Sequence, residues 1–396
     1  MWRRYFSEES RYAGRTVLSY KAQKSGEYGF ENPQNNAFSA TVVLSAEKWF
    51  PGGWGLGGEL AGWSDLGLGI AEAPRVSESI TPQAGGGWRE LSGAEVSQAY
   101  LSLLWGQSLW HFGRVALPKK LSPWLWSDRS AGVLDIVYDG VTVAYQGSHD
   151  QLWYAGWITH AINGADPTIL GGEKRVGVDF LTTAWSGEEN EWIFSLYYLG
   201  NSRHLRPGET KYRGHGEKEW SLWGSWRGTL GEGCRPGLQL VYIDGRAPGY
   251  RMTLGGALRF EVEEGAHRWR LTLAAINGGD YSMKTAGIGV GSGAFWGSSI
   301  SGEFGSDSVG SAMKLGRVDY FYELEEGGRW YAGVALADFD GQGPYHYDRA
   351  FGARVGRRFE REAFFGKVEY RYRNMRYLGE GVKGRQRFRV DLGYRF

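Results

Sequence analysis

The sequence predicts an all-β fold, a transmembrane antiparallel β-barrel of about eighteen strands, with about sixteen as the alternative count. Three observations carry this. Apolar and charged residues alternate with period two in segment after segment of the 396-residue chain. The links between those segments alternate between short and long. No run of about 18 consecutive apolar residues occurs, which excludes a transmembrane helix but not a barrel, whose segments alternate over about 10 residues each.

The strand candidates begin near residues 12, 37, 53, 94, 107, 134, 151, 174, 191, 219, 236, 250, 267, 312, 328, 350, 363 and 386. In RMTLGGALRFEV, Met252, Leu254, Leu258, Phe260 and Val262 share one face, opposite Arg251, Thr253, Arg259 and Glu261. In RWRLTLAA, Trp269, Leu271, Leu273 and Ala275 oppose Arg268, Arg270 and Thr272. FFGKVEYRYR sets Phe364, Val368, Tyr370 and Tyr372 against Lys367, Glu369, Arg371 and Arg373. The last segment, QRFRVDLGYRF, sets Phe388, Val390, Leu392, Tyr394 and Phe396 against Arg387, Arg389, Asp391 and Arg395. Segments such as EWIFSLYYL and EWSLWGSW are less regular, because Ile193 and Trp223 interrupt the polar face.

The short links are FPGG, GQS, GSHD, GEEN, GEGCR, EEGAH, EEGG and ERE. They alternate with longer ones at 23–36, 64–93, 118–133, 162–173, 201–218, 278–311, 340–349 and 374–385, plus the short RAPG at 246–249. One end of the barrel thus carries periplasmic turns, the other carries extracellular loops, and both termini fall on the turn side. The composition agrees: 63 Gly, 19 Trp, 23 Tyr and 18 Phe exceed ordinary soluble usage and suit strands, turns and interfacial girdles. A soluble all-β binding protein is the rival. A propeller would repeat about every 40 residues and a sandwich of this length would need linkers, and neither feature occurs. The large ionised residues on the polar face in strand after strand favour oily stripes facing lipid.

The formal net charge of +1 argues against a nucleic-acid partner. Cys234 is the only cysteine, so no intramolecular disulfide can form. The opening MWRRYFSEES lacks the apolar stretch of a secretory signal; for an exported protein the expectation is that the signal has been removed and that Met1 is an addition.

The stretch from Gly93 to Tyr145 resembles the OprD-like porins and the related major outer-membrane porins of epsilonproteobacteria. The matching residues are Gln98, Ala99, Tyr100 and Leu101, then Gly113 and Arg114, then Ser122 and Pro123, then Asp128 and Arg129. The terminal Phe396 is similar to the C-terminal aromatic by which outer-membrane proteins are recognised for assembly. The resemblance implies an outer-membrane location, a third extracellular loop folded into the lumen, and a homotrimer. The chain departs from the family after Gly113–Arg114, where Val115 and Ala116 lead into Pro118, Lys119 and Lys120 in place of a polar pair.

Residues 1–396 are therefore expected to form a single barrel domain, with 118–133 as the inward constriction loop and 278–311 as a long extracellular loop. Arg114, Lys119, Lys120, Asp128 and Arg129 are the candidate constriction residues, since opposed charges at a narrowing create a transverse field. A solvated surface loop is the competing reading of that segment. With apolar faces outward, Arg317, Arg354, Arg358, Lys367, Arg371, Arg373, Arg387, Arg389 and Arg395 point into the lumen against Asp319, Glu369 and Asp391. Such a basic ladder favours anionic or carboxylate-bearing solutes, unless the cations are neutralised by acids across the strands.

Catalysis is not expected: none of the seven histidines, His111, His149, His160, His204, His215, His267 and His346, accompanies a nucleophile motif such as G-x-S-x-G. GIGVGSG at 287–293 lacks the following helix of a phosphate cradle. Asp280, Glu303, Asp307, Asp338 and Asp340 lie near loops where Ca²⁺ could bind, but without EF-hand spacing the expectation is no metal and no cofactor. No spare N-terminal domain supplies a plug. The expected function is passive diffusion of small hydrophilic solutes and ions, with an adhesive or structural barrel using the 278–311 loop as the alternative.

Overall fold

The structure is a computed structural model that describes residues 9–25, 36–64, 66, 92–118, 120–125, 127, 137–148, 150–162, 177–199, 203–204, 213–214, 219–245, 252–277, 296, 312–340, 347–377 and 381–396. The strands are β1 (Arg11–Ser25), β2 (Asn36–Phe50), β3 (Trp54–Ser64), β4 (Ser92–Trp105), β5 (Ser108–Val115), β6 (Val137–Gln146), β7 (Gln151–Ile162), β8 (Val178–Ser186) and β9 (Asn190–Leu199). After the two-residue strands β10 (Arg203–His204) and β11 (Arg213–Gly214) come β12 (Glu219–Gly228), β13 (Cys234–Gly245), β14 (Thr253–Glu264), β15 (His267–Ile276) and β16 (Met313–Glu323). The series ends with β17 (Arg329–Phe339), β18 (Tyr347–Arg361), β19 (Phe364–Tyr377) and β20 (Gly381–Arg395).

Apart from the β10–β11 pair, these form one 18-stranded antiparallel sheet in sequence order. The ring closes because β1 pairs with β2 on one side and β20 on the other. All the strands expected from the alternation are present, and the eight short links are the turns at one end. Two boundaries differ. The β10–β11 pair sits inside the expected loop at 201–218. The expected loop at 374–385 shrinks to 378–380, because β19 and β20 continue pairing through Met375 and Lys383 to Tyr377 and Gly381. There the apolar and charged residues no longer alternate regularly, and backbone pairing prolongs the hairpin.

The tight turns use the conformations that right-twisted hairpins require: Glu362, in the β18–β19 turn, takes φ of 52°. At the seam Phe396 N–H donates to the Gly14 carbonyl and Gly14 N–H donates to the Phe396 carbonyl, at 2.9 and 2.8 Å. The Phe396 ring lies over Gly14, where a Cβ would approach it to 2.2 Å, so only glycine leaves room for the terminal aromatic.

The alternation maps onto the two faces of the wall. Outward residues are the apolar ones: Leu271 is 39% exposed and Leu392 46%, while inward Thr272 and Asp319 are at 0%. A continuous apolar exterior around a polar interior is the reverse of a soluble protein and matches a lipid-facing belt. Aromatic pairs sit near strand ends, Phe50 on Trp54 at 4.2 Å at the turn end and Tyr198 against Trp220 at 4.6 Å at the loop end, as in interfacial girdles. Among the described residues no helix is long and apolar enough to cross a membrane.

Leu271→Arg places a guanidinium on the outward face in mid-strand and should cost about 2–4 kcal/mol in reversible refolding into lipid bilayers. Val262→Arg, also on the outward face but next to the turn end, should cost only about 0–1 kcal/mol; equal costs would mean that the apolar face does not meet lipid.

Candidate functional site

The lumen is built from two unlike halves. On β6 to β9 the inward residues are apolar or hydroxyl-bearing: Tyr138, Thr142, Leu152, Tyr154, Ile158, Val178, Phe180, Thr182, Ile193 and Tyr197 are all buried. They are covered from within by the segment following β5. Leu117, Leu121, Trp124 and Leu125 of that segment are at most 1% exposed and join the wall in one apolar cluster. Burying four large side chains in this way contributes roughly 1.5–3 kcal/mol each before ordering costs.

Hydrogen bonds fix the path of the segment. Ala116 N–H donates to Gln98 Oε1 at 3.2 Å, and Leu121 and Ser122 N–H both donate to the Pro118 carbonyl, at 3.0 and 2.9 Å. Leu117 and Ser127 tie the two ends together through Ser127 N–H to the Leu117 carbonyl and Leu117 N–H to Ser127 Oγ. Trp124 N–H donates to the Tyr197 hydroxyl at 3.3 Å, and Lys120 forms an ion pair with Glu191 at the other end of β9. The interruptions at Ile193 and Trp223 in the polar pattern are therefore inward positions, apolar because both belong to the buried cluster.

Arg114 departs from expectation. The register places it beside Ala99 and Asp139, on the outward face that also carries Trp110 and Phe112. Its Nε donates to Asp139 Oδ1 at 2.9 Å and an Nη to the Val96 carbonyl at 3.1 Å. It therefore does not face the infolded segment: its position in β5 is fixed by the period of two, which turns it away from the lumen. Of the other constriction candidates, Lys120 lies in the infolded segment against Glu191, while Lys119, Asp128 and Arg129 lie outside the described residues. Gln98, Ser122 and Tyr100 of the family-like stretch are inward or within the segment, and Gln98 has a role, as the acceptor that starts the fold inward.

The other half of the wall, β14 to β20, is ionic. Arg317, Arg354, Arg358, Lys367, Arg371, Arg373, Arg387 and Arg389 all occupy inward positions in the register. The acids present are shared. Asp319 lies 3.1 Å from Arg317 and 2.8 Å from Arg354. Glu369 pairs with Lys367 at 3.2 Å and with Arg371, and accepts the Tyr331 hydroxyl at 2.7 Å. Asp391 takes Arg389 at 2.8 Å and the Ser19 hydroxyl at 2.8 Å.

Cations nevertheless stand directly opposite cations. Arg354 faces Arg371 across β18–β19, and Arg371 faces Arg387 across β19–β20. Arg373 faces Arg385, and Arg329 faces Arg358, which in turn faces Lys367. Arg371, Arg373, Arg385 and Arg389 are among the charged neighbours of Arg387. Like charges opposed across a strand pair destabilise it. Arg259, Arg268, Arg270, Arg329 and Arg385 join the inward cations, although the sequence reading did not take them into the ladder. The same alternation that found Arg371 would have found them.

The 278–311 link, expected to be extracellular, sends at least one residue inward. Trp296 is 7% exposed and lies over Arg259 of the inner wall, 4.0 Å from guanidinium carbon to ring centre. Of the acidic residues weighed for Ca²⁺, Asp280, Glu303 and Asp307 lie outside the described residues; Asp338 and Asp340 are described, with Asp338 3.5 Å from Arg349.

No family model matches the chain, and no curated protein sequence matches it. Solved structures do. OccAB4 of Acinetobacter baumannii superposes with a TM-score of 0.71 at 12% identity, over 98% of each chain. OpdK of Pseudomonas aeruginosa, solved with vanillate, gives 0.69 at 12% identity over 99% of each chain. OccK8 (OprE) of Pseudomonas aeruginosa gives 0.71 at 10% identity over 99% of each chain. These neighbours are OprD-like outer-membrane porins. The chain has their fold. What is shared at such identities is the architecture over the whole length.

Asp319→Ala removes the carboxylate that holds Arg317 and Arg354 and leaves two cations facing each other at the wall. It should cost about 3–5 kcal/mol, measured by urea-dependent refolding in lipid, and an additional Arg354→Gln should recover part of the loss.

Proposed function

We propose that this chain is a porin of the bacterial outer membrane, conducting small hydrophilic solutes and ions passively down their gradients. The infolded segment after β5 narrows the lumen, and the ionic half of the wall favours anionic or carboxylate-bearing solutes. The full-length fold likeness to OprD-like porins supports the porin reading, as does the apolar belt around a charged interior. This is transport and not catalysis, and diffusion requires no cofactor. A homotrimer remains part of the proposal, as does Phe396 as the assembly signal.

One observation carries the solute preference: the row Arg354–Arg371–Arg387, three guanidinium groups on three adjacent strands, all facing the lumen. Such a row costs folding energy through like-charge repulsion. A carboxylate entering the lumen relieves that repulsion by accepting paired N–H bonds from successive guanidinium groups. Several weak sites in file let it bind and leave, which a single strong site would prevent. Lys120 and the unassigned contributions of Lys119, Asp128 and Arg129 belong to the proposed constriction. The adhesive alternative is weaker, because Trp296 of the loop it would use points into the lumen.

In planar bilayers under a salt gradient, the reconstituted protein should show a reversal potential on the anion side, and liposome swelling should be faster with dicarboxylates than with sugars of equal size. Arg371→Gln together with Arg387→Gln should reduce anion over cation permeability about threefold or more while leaving the barrel folded. A cation-selective wild-type channel would refute the ladder, and a protein passing no current would refute the porin.

A further inference from the structure

The basic wall does not end at Arg317. Across β15 and β14 it continues through Thr272 to Arg259, since Arg317 faces Thr272 and Thr272 faces Arg259. Arg227 on β12 stands beyond, facing Gly237, which faces Arg259. Elsewhere the rings over inward cations belong to the wall itself, Phe321 over Arg268, Arg270 and Arg329 and Tyr331 over Arg354 and Arg358, whereas the ring over Arg259 and Arg227 comes from the 278–311 link. The guanidinium carbons of Arg259 and Arg227 lie 4.0 and 5.7 Å from the centre of the Trp296 ring. Arg259 is 8% exposed, and its Nε donates to Thr272 Oγ1 at 3.3 Å.

The wall is shaped to receive that ring. Gly237 lies beneath it, and a Cβ at this position would come within 2.6 Å of the indole. Every other inward residue type would close the slot. Next to it, Gln239, itself 2% exposed, accepts the Trp296 backbone N–H through Oε1 at 2.9 Å. Slot, acceptor and cation are three independent contributions from β13 and β14, and together they specify an indole at one place. An aromatic face on a guanidinium satisfies the cation electrostatically and keeps water and oxyanions off that face.

We propose that Trp296 is a selectivity-determining residue of the lumen: it caps Arg259 and so withdraws that cation from the row that Arg317 continues. This rests on the lumen being an anion-conducting path. Without the indole Arg259 would join the exposed basic wall, and the lumen beside β13 and β14 would be wider. The cap therefore sets how many cations a passing solute meets and how wide the lumen is beside them.

The test is the reversal potential and single-channel conductance of variants in planar bilayers. Trp296→Ala should raise conductance roughly 1.5-fold and move the reversal potential further toward the anion side. Trp296→Phe, which keeps a ring in the slot and the backbone bond to Gln239, should shift both less than Trp296→Ala. Adding Arg259→Gln to Trp296→Ala should return the reversal potential toward the wild-type value while the conductance stays high. Gly237→Val, which fills the slot from the wall side, should reproduce the change in reversal potential if it folds. A conducting Trp296→Ala channel with wild-type reversal potential overturns the cap, as does a shift that Arg259→Gln fails to reverse. A wild-type protein without anion preference overturns the solute reading beneath it, and this is seen before any variant is made.

Discussion

The structure depends on one constraint: in hydrocarbon every backbone N–H and C=O must find a partner within the protein. An open sheet of eighteen strands would leave two edges unpaired, and the pairing of β1 with β20 removes both. The last residue takes part in this closure. Phe396 exchanges hydrogen bonds with Gly14 and so forms a rung of the seam. Closure in turn fixes the period of two around the whole ring, and each side chain is committed to lipid or lumen by parity alone.

Parity explains both what the wall does and where it surprises. Arg317, Arg371 and Arg387 are inward because their neighbours Val318, Tyr370 and Phe388 are outward. Arg114 is outward for the same reason, and its charge is met there by Asp139. The pair sits beside two register shifts, one between β3 and β4 and one between β6 and β7. Bulges of this kind re-aim side chains near the rim of a barrel.

The lumen divides its circumference between two kinds of chemistry. Where the wall is apolar, a stretch of chain folds in and covers it, because water against Ile158, Phe180 and Tyr197 would be unfavourable. Where the wall is ionic, Asp319, Glu369 and Asp391 each hold more than one donor. A wide pore thus becomes a narrower one that is asymmetric in charge. The asymmetry arises from different strands and needs no change in the barrel itself.

The sequence by itself determined the barrel, its strands and turns, and the inward side of β16 to β20, because alternation is a local property that the pleat converts directly into orientation. The regular segments around Leu258, Leu271 and Val368 separate the two faces cleanly. Residues 374–385 were less legible, since the hairpin there is prolonged by backbone bonding that no side-chain pattern records. Only the tertiary structure decided what fills the lumen. That Tyr197 and Glu191 hold an infolded segment, that Gly237 makes room for Trp296, and that Arg354, Arg371 and Arg387 stand in one row are long-range facts. They depend on register between strands distant in sequence and on loops returning to a wall, neither of which a period of two contains.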